Sequence, residues 1–221
     1  MNIAAILFVL FLVGALVYFL VYRSKGSSDK VVILSGSQPG NAKGGFYGSL
    51  PLSFNNPEGI VFSYTGWVLV KDFNMGYGKK RVIFKKGDDG PGLYLDSTSN
   101  SLMVAIKTYG ATETILIPNI PAMKWIHFAI VVDQTSVNIY INGTLRQHHT
   151  LGQLPDQNND ELTMGSEWDG VLGNLVYYSR NLSYDEIRKL SGETPPNDLQ
   201  PKISGPGYFD ITWYIGRLNS A

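Results

Sequence analysis

The chain has 221 residues, 18 Lys and Arg balanced by 18 Asp and Glu, and no cysteine. Zero formal charge creates no global field that would draw in a polyanion, so no nucleic-acid partner is expected. The missing thiols exclude disulfides, thiolate zinc sites and cysteine nucleophiles, and the length suits a single domain with a sizeable core.

The first expected element is a transmembrane helix over residues 1–22. The run Ile3 to Tyr22 carries no charge, and as a helix of that length it spans about 30 Å, the thickness of the hydrocarbon core of a bilayer. Ile3, Leu10, Leu16 and Tyr22 mark this anchor, and the lipid bilayer is the implied partner. A cleaved signal peptide fits less well, because no basic side chain precedes the run and no small-x-small site closes it. Arg23, Lys25 and Lys30 follow the span, and the positive-inside rule places the remainder on the cytoplasmic side. Two sequons, Asn142-Gly-Thr144 and Asn181-Leu-Ser183, argue against that side only if glycosylated. Asn142-Gly143 is also the turn expected of a hairpin, and Asn181 precedes a helix cap.

Residues 23–45 are rich in Gly, Ser and Lys, the composition of a flexible linker, interrupted by the β-prone Val31-Val-Ile-Leu34. From residue 46 to 192, short β-branched and aromatic runs alternate with turn residues, as in an antiparallel sandwich. Strands are expected near 46–54, 60–71, 80–86, 92–97, 102–107, 113–118, 125–133, 136–142, 145–150, 161–165 and 171–179. In the eighth, Val137, Ile139 and Ile141 share one face in strict period two. One helix is expected, Ser183 to Leu190, because Ser183 and Glu186 form an S-x-x-E capping box and Leu182 can staple onto Ile187. Residues 193–221 form a Pro-rich extension with the aromatic segment Tyr208 to Ile215, suited to an added strand or a docking tail.

Four segments in order carry a family resemblance: Phe62-Ser-Tyr-Thr-Gly-Trp67; Trp125-Ile-His127-Phe-Ala129 through Asp133 with the following Tyr140-Ile-Asn142-Gly143; Leu162-Thr-Met-Gly165; and Gly173 through Arg180-Asn-Leu182-Ser-Tyr-Asp-Glu186-Ile. Together they resemble the laminin G-like group of the concanavalin A-like lectin/glucanase superfamily. The resemblance implies an all-β, antiparallel jelly-roll sandwich in which Trp67 packs into the core, and functions in binding, adhesion or scaffolding, with glycoside hydrolysis in some relatives.

Hydrolysis would need two carboxylates on one rigid strand face, about 5 Å apart for retention. The nearest stretch, Glu167-Trp168-Asp169, sits among glycines and reads as loop. His127 falls at a core position, where it is expected to bond a backbone carbonyl, and His148 and His149 point to opposite faces of one strand. Calcium is the one cofactor candidate: Asp88 and Asp89 in the Gly87 to Gly92 turn, with Asp156, Asn158, Asn159 and Asp160, supply oxygens, although tight turns need the same residues. For a glycan, Trp168 with Glu167 and Asp169 is the leading candidate, followed by Tyr77 and Tyr109; loop aromatics also serve to plug sandwich edges.

The expected function is a membrane-anchored, non-catalytic interaction or structural module with protein or glycan partners at its loops. Short anchored proteins of this group look similar to minor membrane or capsid-associated components of large DNA viruses. The alternative is a lectin-like carbohydrate-binding module, with or without calcium; glycoside hydrolysis is a formal third reading.

Overall fold

The structure is a computed structural model that describes residues 11–16, 18, 29–52, 59–88 and 90–196. Thirteen strands build it: β1 Lys30–Val32, β2 Ser37–Pro39, β3 Gly44–Phe46, β4 Val61–Asp72, β5 Arg81–Lys86, β6 Gly92–Leu95, β7 Leu102–Lys107, β8 Thr112–Ile117, β9 Trp125–Asp133, β10 Ser136–Ile141, β11 Thr144–Thr150, β12 Leu162–Met164 and β13 Asp169–Tyr178. They pair antiparallel into two sheets. The first runs β1-β13-β4-β9-β10-β11, with β2 also on β13, and the second runs β3-β12-β5-β6-β7-β8. The expected all-β antiparallel sandwich is therefore present.

Alternation decides what each face does. Phe62, Tyr64, Val68 and Val70 of β4 and Ile126, Phe128, Ile130 and Val132 of β9 point between the sheets, where they meet Ile83, Phe84, Leu93, Leu95, Leu102 and Val104. The intervening Thr65, Trp67, His127 and Ala129 face outward, yet the first ten residues of β4 are all buried. Burial on both faces requires a cover. The helix Tyr184–Ser191 supplies part of it by packing Ile187 and Leu190 onto Ala129, Val131 and Tyr178.

The capping box forms as the sequence predicts: Ser183 Oγ accepts from the Glu186 N–H, and the Glu186 carboxylate accepts from the Ser183 N–H at 2.9 Å. Arg180 locks this corner, holding Glu186 Oε1 at 2.6 Å and also engaging Asp29. Its guanidinium keeps the Glu186 carboxyl down at about 2. Leu182 and Ile187 share the outer cluster, the contact expected of the staple. Asn142 and Gly143, at φ +49° and +76°, are the two residues between β10 and β11, a primed hairpin turn. Asn142 Oδ1 also accepts from the His127 N–H at 2.8 Å.

Four expectations change. Residues 30–45, expected as spacer, contribute β1, β2 and most of β3, because Val31 pairs with Tyr177 and Gln38 with Leu172. The expected strand at 46–54 ends at Phe46; residues 47–52 have no strand, and 53 and 54 lie outside the described residues. Trp67 lies on the outer face of its sheet, edge-on to His127 at 5.1 Å between ring centroids. His127 Nε2 bonds the Thr65 hydroxyl at 2.8 Å in place of a backbone carbonyl.

At the N-terminus, residues 11–16 and 18 are helical and Leu16 is exposed. Ile3, Leu10 and Tyr22, with most of the expected span, lie outside the described residues, as does the aromatic segment 208–215. Among the described residues no helix is long and apolar enough to cross a membrane.

Candidate functional site

The loop aromatic favoured by the sequence is not available to a ligand. Trp168 is fully buried in the inter-sheet core. Its indole fits only because Gly40 and Gly170 flank it: a Cβ on either would come within 2.4 Å of the ring. The edge-plugging role wins, since stacking on a sugar needs an open ring face.

Its neighbours stand apart from one another. Glu167, at φ +52°, carries an exposed carboxylate 3.7 Å from Lys79, and Asp169 opens β13. Tyr77 is exposed in the β4–β5 loop, near Glu167: a Cβ on Gly76 would meet the Glu167 carbonyl at 2.5 Å. Tyr109 is equally exposed but lies in the β7–β8 turn. Because β5, β6 and β7 alternate in direction, Tyr77 and Tyr109 occupy opposite ends of the sheet and cannot share a ligand.

The two calcium-candidate loops lie side by side, with Asn158 Nδ2 donating to the Gly90 carbonyl at 3.4 Å and Asp160 against Gly87, but their described carboxylates do not converge on one point. Asp88 is almost wholly exposed and pairs with Lys85 Nζ at 3.0 Å, Asp156 lies 3.8 Å from Lys107, and the Asn158 carbonyl accepts from Lys86 Nζ at 2.5 Å. Asp89 lies outside the described residues. Among the described residues no group of three or more His, Asp and Glu gathers as a metal would require. His148 bonds Asn138 and His149 bonds Glu113, each at 2.8 Å, so the two imidazoles do face opposite sides. The bonds from His149 and the Gly152 N–H hold the Glu113 carboxyl below the usual carboxylate range.

Among the described residues, three concavities stand out. The crevice between the sheets beside Tyr64, Lys86 and Tyr177 offers about 10 Å³, no more than one water needs. A second, of about 220 Å³, lies on the outer face of the first sheet. Its aromatic wall is Trp67, only 8% exposed and set against His127. Burial pushes the His127 imidazole down to about 4, so the ring is neutral at pH 7.

The third is a groove of about 510 Å³ across the outer face of β3, β12 and β5, lined by Lys43, Gly44, Gly45, Tyr47, Lys85, Thr163 and Ser166 among others. Tyr47 is 80% exposed. Its ring stands over Gly45, where a Cβ would lie 3.1 Å from Tyr47 Cζ. Register places Thr163 between Gly45 and Lys85, so the floor is glycine and hydroxyl, with the aromatic at one margin. Gln38 holds that margin, donating to the carbonyls of Ala42 at 2.9 Å and Met164 at 3.4 Å. Gly165, at φ +73°, lets the Ala42 carbonyl approach: a Cβ there would sit 2.0 Å from it. Sequence reasoning missed this groove because Tyr47 fell in an expected strand and Lys43 to Gly45 in an expected spacer; the signal available was the pair Gly44-Gly45 beside an aromatic.

Residues 43–188, about two thirds of the chain, match the sequence profile of the concanavalin A-like lectin/glucanases superfamily. The chain belongs to that superfamily. No curated protein matches it. Among solved structures, this superfamily member is similar to the receptor-binding domain of botulinum neurotoxin D, at TM-score 0.56 and 11% identity over 73% of this chain and 46% of that one. It is similar to a botulinum neurotoxin type C structure, of a toxin whose cell entry depends on two ganglioside molecules, at TM-score 0.55 and 15% identity over 73% and 50%. A third is the binding domain of botulinum neurotoxin DC in complex with rat synaptotagmin II, at TM-score 0.55 and 15% identity over 74% and 51%. The chain thus spans about half the length of these relatives, and at such identities the likeness establishes the fold alone.

Proposed function

We propose that this sandwich is a non-catalytic carbohydrate-recognition module and that the Tyr47 groove is its binding face. The observation that carries the reading is an open tyrosine ring over a glycine floor, next to the hydroxyls of Thr163 and Ser166. A sugar offers an apolar C–H face and a rim of hydroxyls, and a binding surface meets it with an exposed ring and nearby donors and acceptors. Since β3 is an edge strand, its outer backbone groups pair with no strand among the described residues and add to that inventory. Membership in a superfamily of lectins and glucanases, and likeness to a toxin that depends on gangliosides, support the same direction.

Recognition is favoured over hydrolysis because a general acid needs an enclosed carboxyl on a rigid element. Glu167 is open to solvent beside Lys79. The reading needs no metal. The charge-free run 3–22 and the basic residues that follow it support a membrane tether with the sandwich on the cytoplasmic side. Proteolysis of sealed vesicles whose cytoplasmic side faces outward should digest the sandwich; protection would reverse the orientation. The expectation of a viral membrane or capsid component draws no support from the groove or from the solved relatives.

The binding claim is tested with the detergent-solubilised full chain on a glycan array. Tyr47→Ala, at an exposed position, should leave thermal unfolding unchanged and weaken binding at least tenfold, the equivalent of about 1.4 kcal/mol. Binding that survives the substitution intact would remove the groove from the account.

A further inference from the structure

We propose that the Tyr47 groove prefers saccharides that bear an anionic group, a carboxylate or a sulfate; this rests on the carbohydrate reading above and narrows it. The groove has a charge of one sign. Lys43 and Lys85 line it, and no Asp or Glu is among the described residues that do. The protein as a whole is neutral, so two cations without a lining acid represent a local excess and not a reflection of composition. They stand on separate elements around a common floor: Lys43 directly before β3, Lys85 on β5, with Thr163 of β12 between. A negative group on a sugar seated against Tyr47 would meet ammonium groups from both.

The backbone that carries each cation is held in place. Ala42, next to Lys43, is fixed through its carbonyl by the Gln38 amide. Lys85 is part-buried, with a side chain 29% exposed, and its register with Thr163 and Gly92 sets it across the sheet. Its acidic partner Asp88 sits outside the groove lining with a side chain 97% exposed. An ion pair that open is weak, because water screens it, so a ligand anion can take the ammonium over at little cost. Asp88 therefore acts as a competitor whose removal strengthens the groove for acids. Ammonium groups are mobile point charges and do not impose the planar two-point geometry of a guanidinium, so carboxylate and sulfate share this chemistry.

The experiment uses the full chain on an array that displays each neutral oligosaccharide next to its sialylated, uronate-containing and sulfated derivatives. Wild type should bind acidic members at least tenfold more tightly than their neutral parents, with the margin shrinking as salt rises. The carboxylate and sulfate arms then identify which anion is the better fit. Lys43→Gln with Lys85→Gln should erase the margin and leave neutral binding in place, while Asp88→Asn should raise affinity for acidic members about threefold. Neutral and acidic members bound alike, or a margin that survives the double substitution, overturns the charge preference and leaves the carbohydrate reading standing. No binding to any member of the array overturns both.

Discussion

At the scale of single residues, two buried side chains make the sharpest predictions. Trp168 was legible as an aromatic in a loop, and its burial was not, because the glycines that admit it come from two segments: Gly40 is 128 positions away in the chain and Gly170 is two. Trp168→Ala should cost about 3–5 kcal/mol in urea unfolding, as large-to-small core changes do; a loss below about 1 kcal/mol would mean the ring is not in the core. His127 predicts a pH dependence. Its folded value, about 4, lies below the ordinary 6.5, so below pH 6.5 the unfolded chain takes up a proton that the folded chain refuses. Its contribution is therefore complete above pH 6.5, declines as pH falls towards 4, and changes no further below that, a total of order 3 kcal/mol. Unfolding midpoints measured from pH 7 to pH 4 should fall less steeply in His127→Gln than in wild type. The sequence placed His127 at a buried position but named the wrong partner, since the Thr65 hydroxyl reaches it only through strand register.

At the scale of elements, long strands are legible by their composition and period, and the three-residue β12 by its Leu162-Thr-Met-Gly165 motif. Of the longer strands, β10 declares itself by alternation and β4 and β9 as β-branched and aromatic runs buried on both faces, and the helix declares itself by its capping box. Ser183→Ala should lower stability by about 1 kcal/mol, read as a shift in the unfolding midpoint. The three-residue strands β1, β2 and β3 have too few positions to show a period, and they lie in a stretch whose glycines and serines read as spacer. What makes them strands is β13 and β12 waiting for partners. Gly40→Ala tests whether this segment is integral. The added methyl would meet the Trp168 ring at 2.4 Å and its carbonyl at 2.8 Å, so the substitution should cost about 1–3 kcal/mol. It should cost less in a Trp168→Ala background, and the double-mutant cycle gives the coupling. Additive costs would show that residues 30–45 do not pack on the sandwich.

At the scale of the molecule, the fold could be read from four ordered motifs, whereas the site could not. The motifs describe what holds the sheets together: Arg180, Ser183 and Glu186 build a helix corner, and Asn142 and Gly143 a hairpin. Of the four motifs only Leu162-Thr-Met-Gly165 reaches the groove at Tyr47, through Thr163, Met164 and Gly165; the other walls come from β3 and the turn before it and from β5, elements brought together only by sheet order. A recognition face made this way can vary without disturbing the core, which is why fold and ligand are separable questions. The most direct test of the central claim is backbone chemical-shift mapping of the full chain on adding a glycan that it binds. The account predicts shifts concentrated at Gly44, Gly45, Tyr47, Thr163 and Ser166. Shifts confined instead to the far rim at Tyr109 and Asp156, or to the Trp67 face of the other sheet, would contradict it.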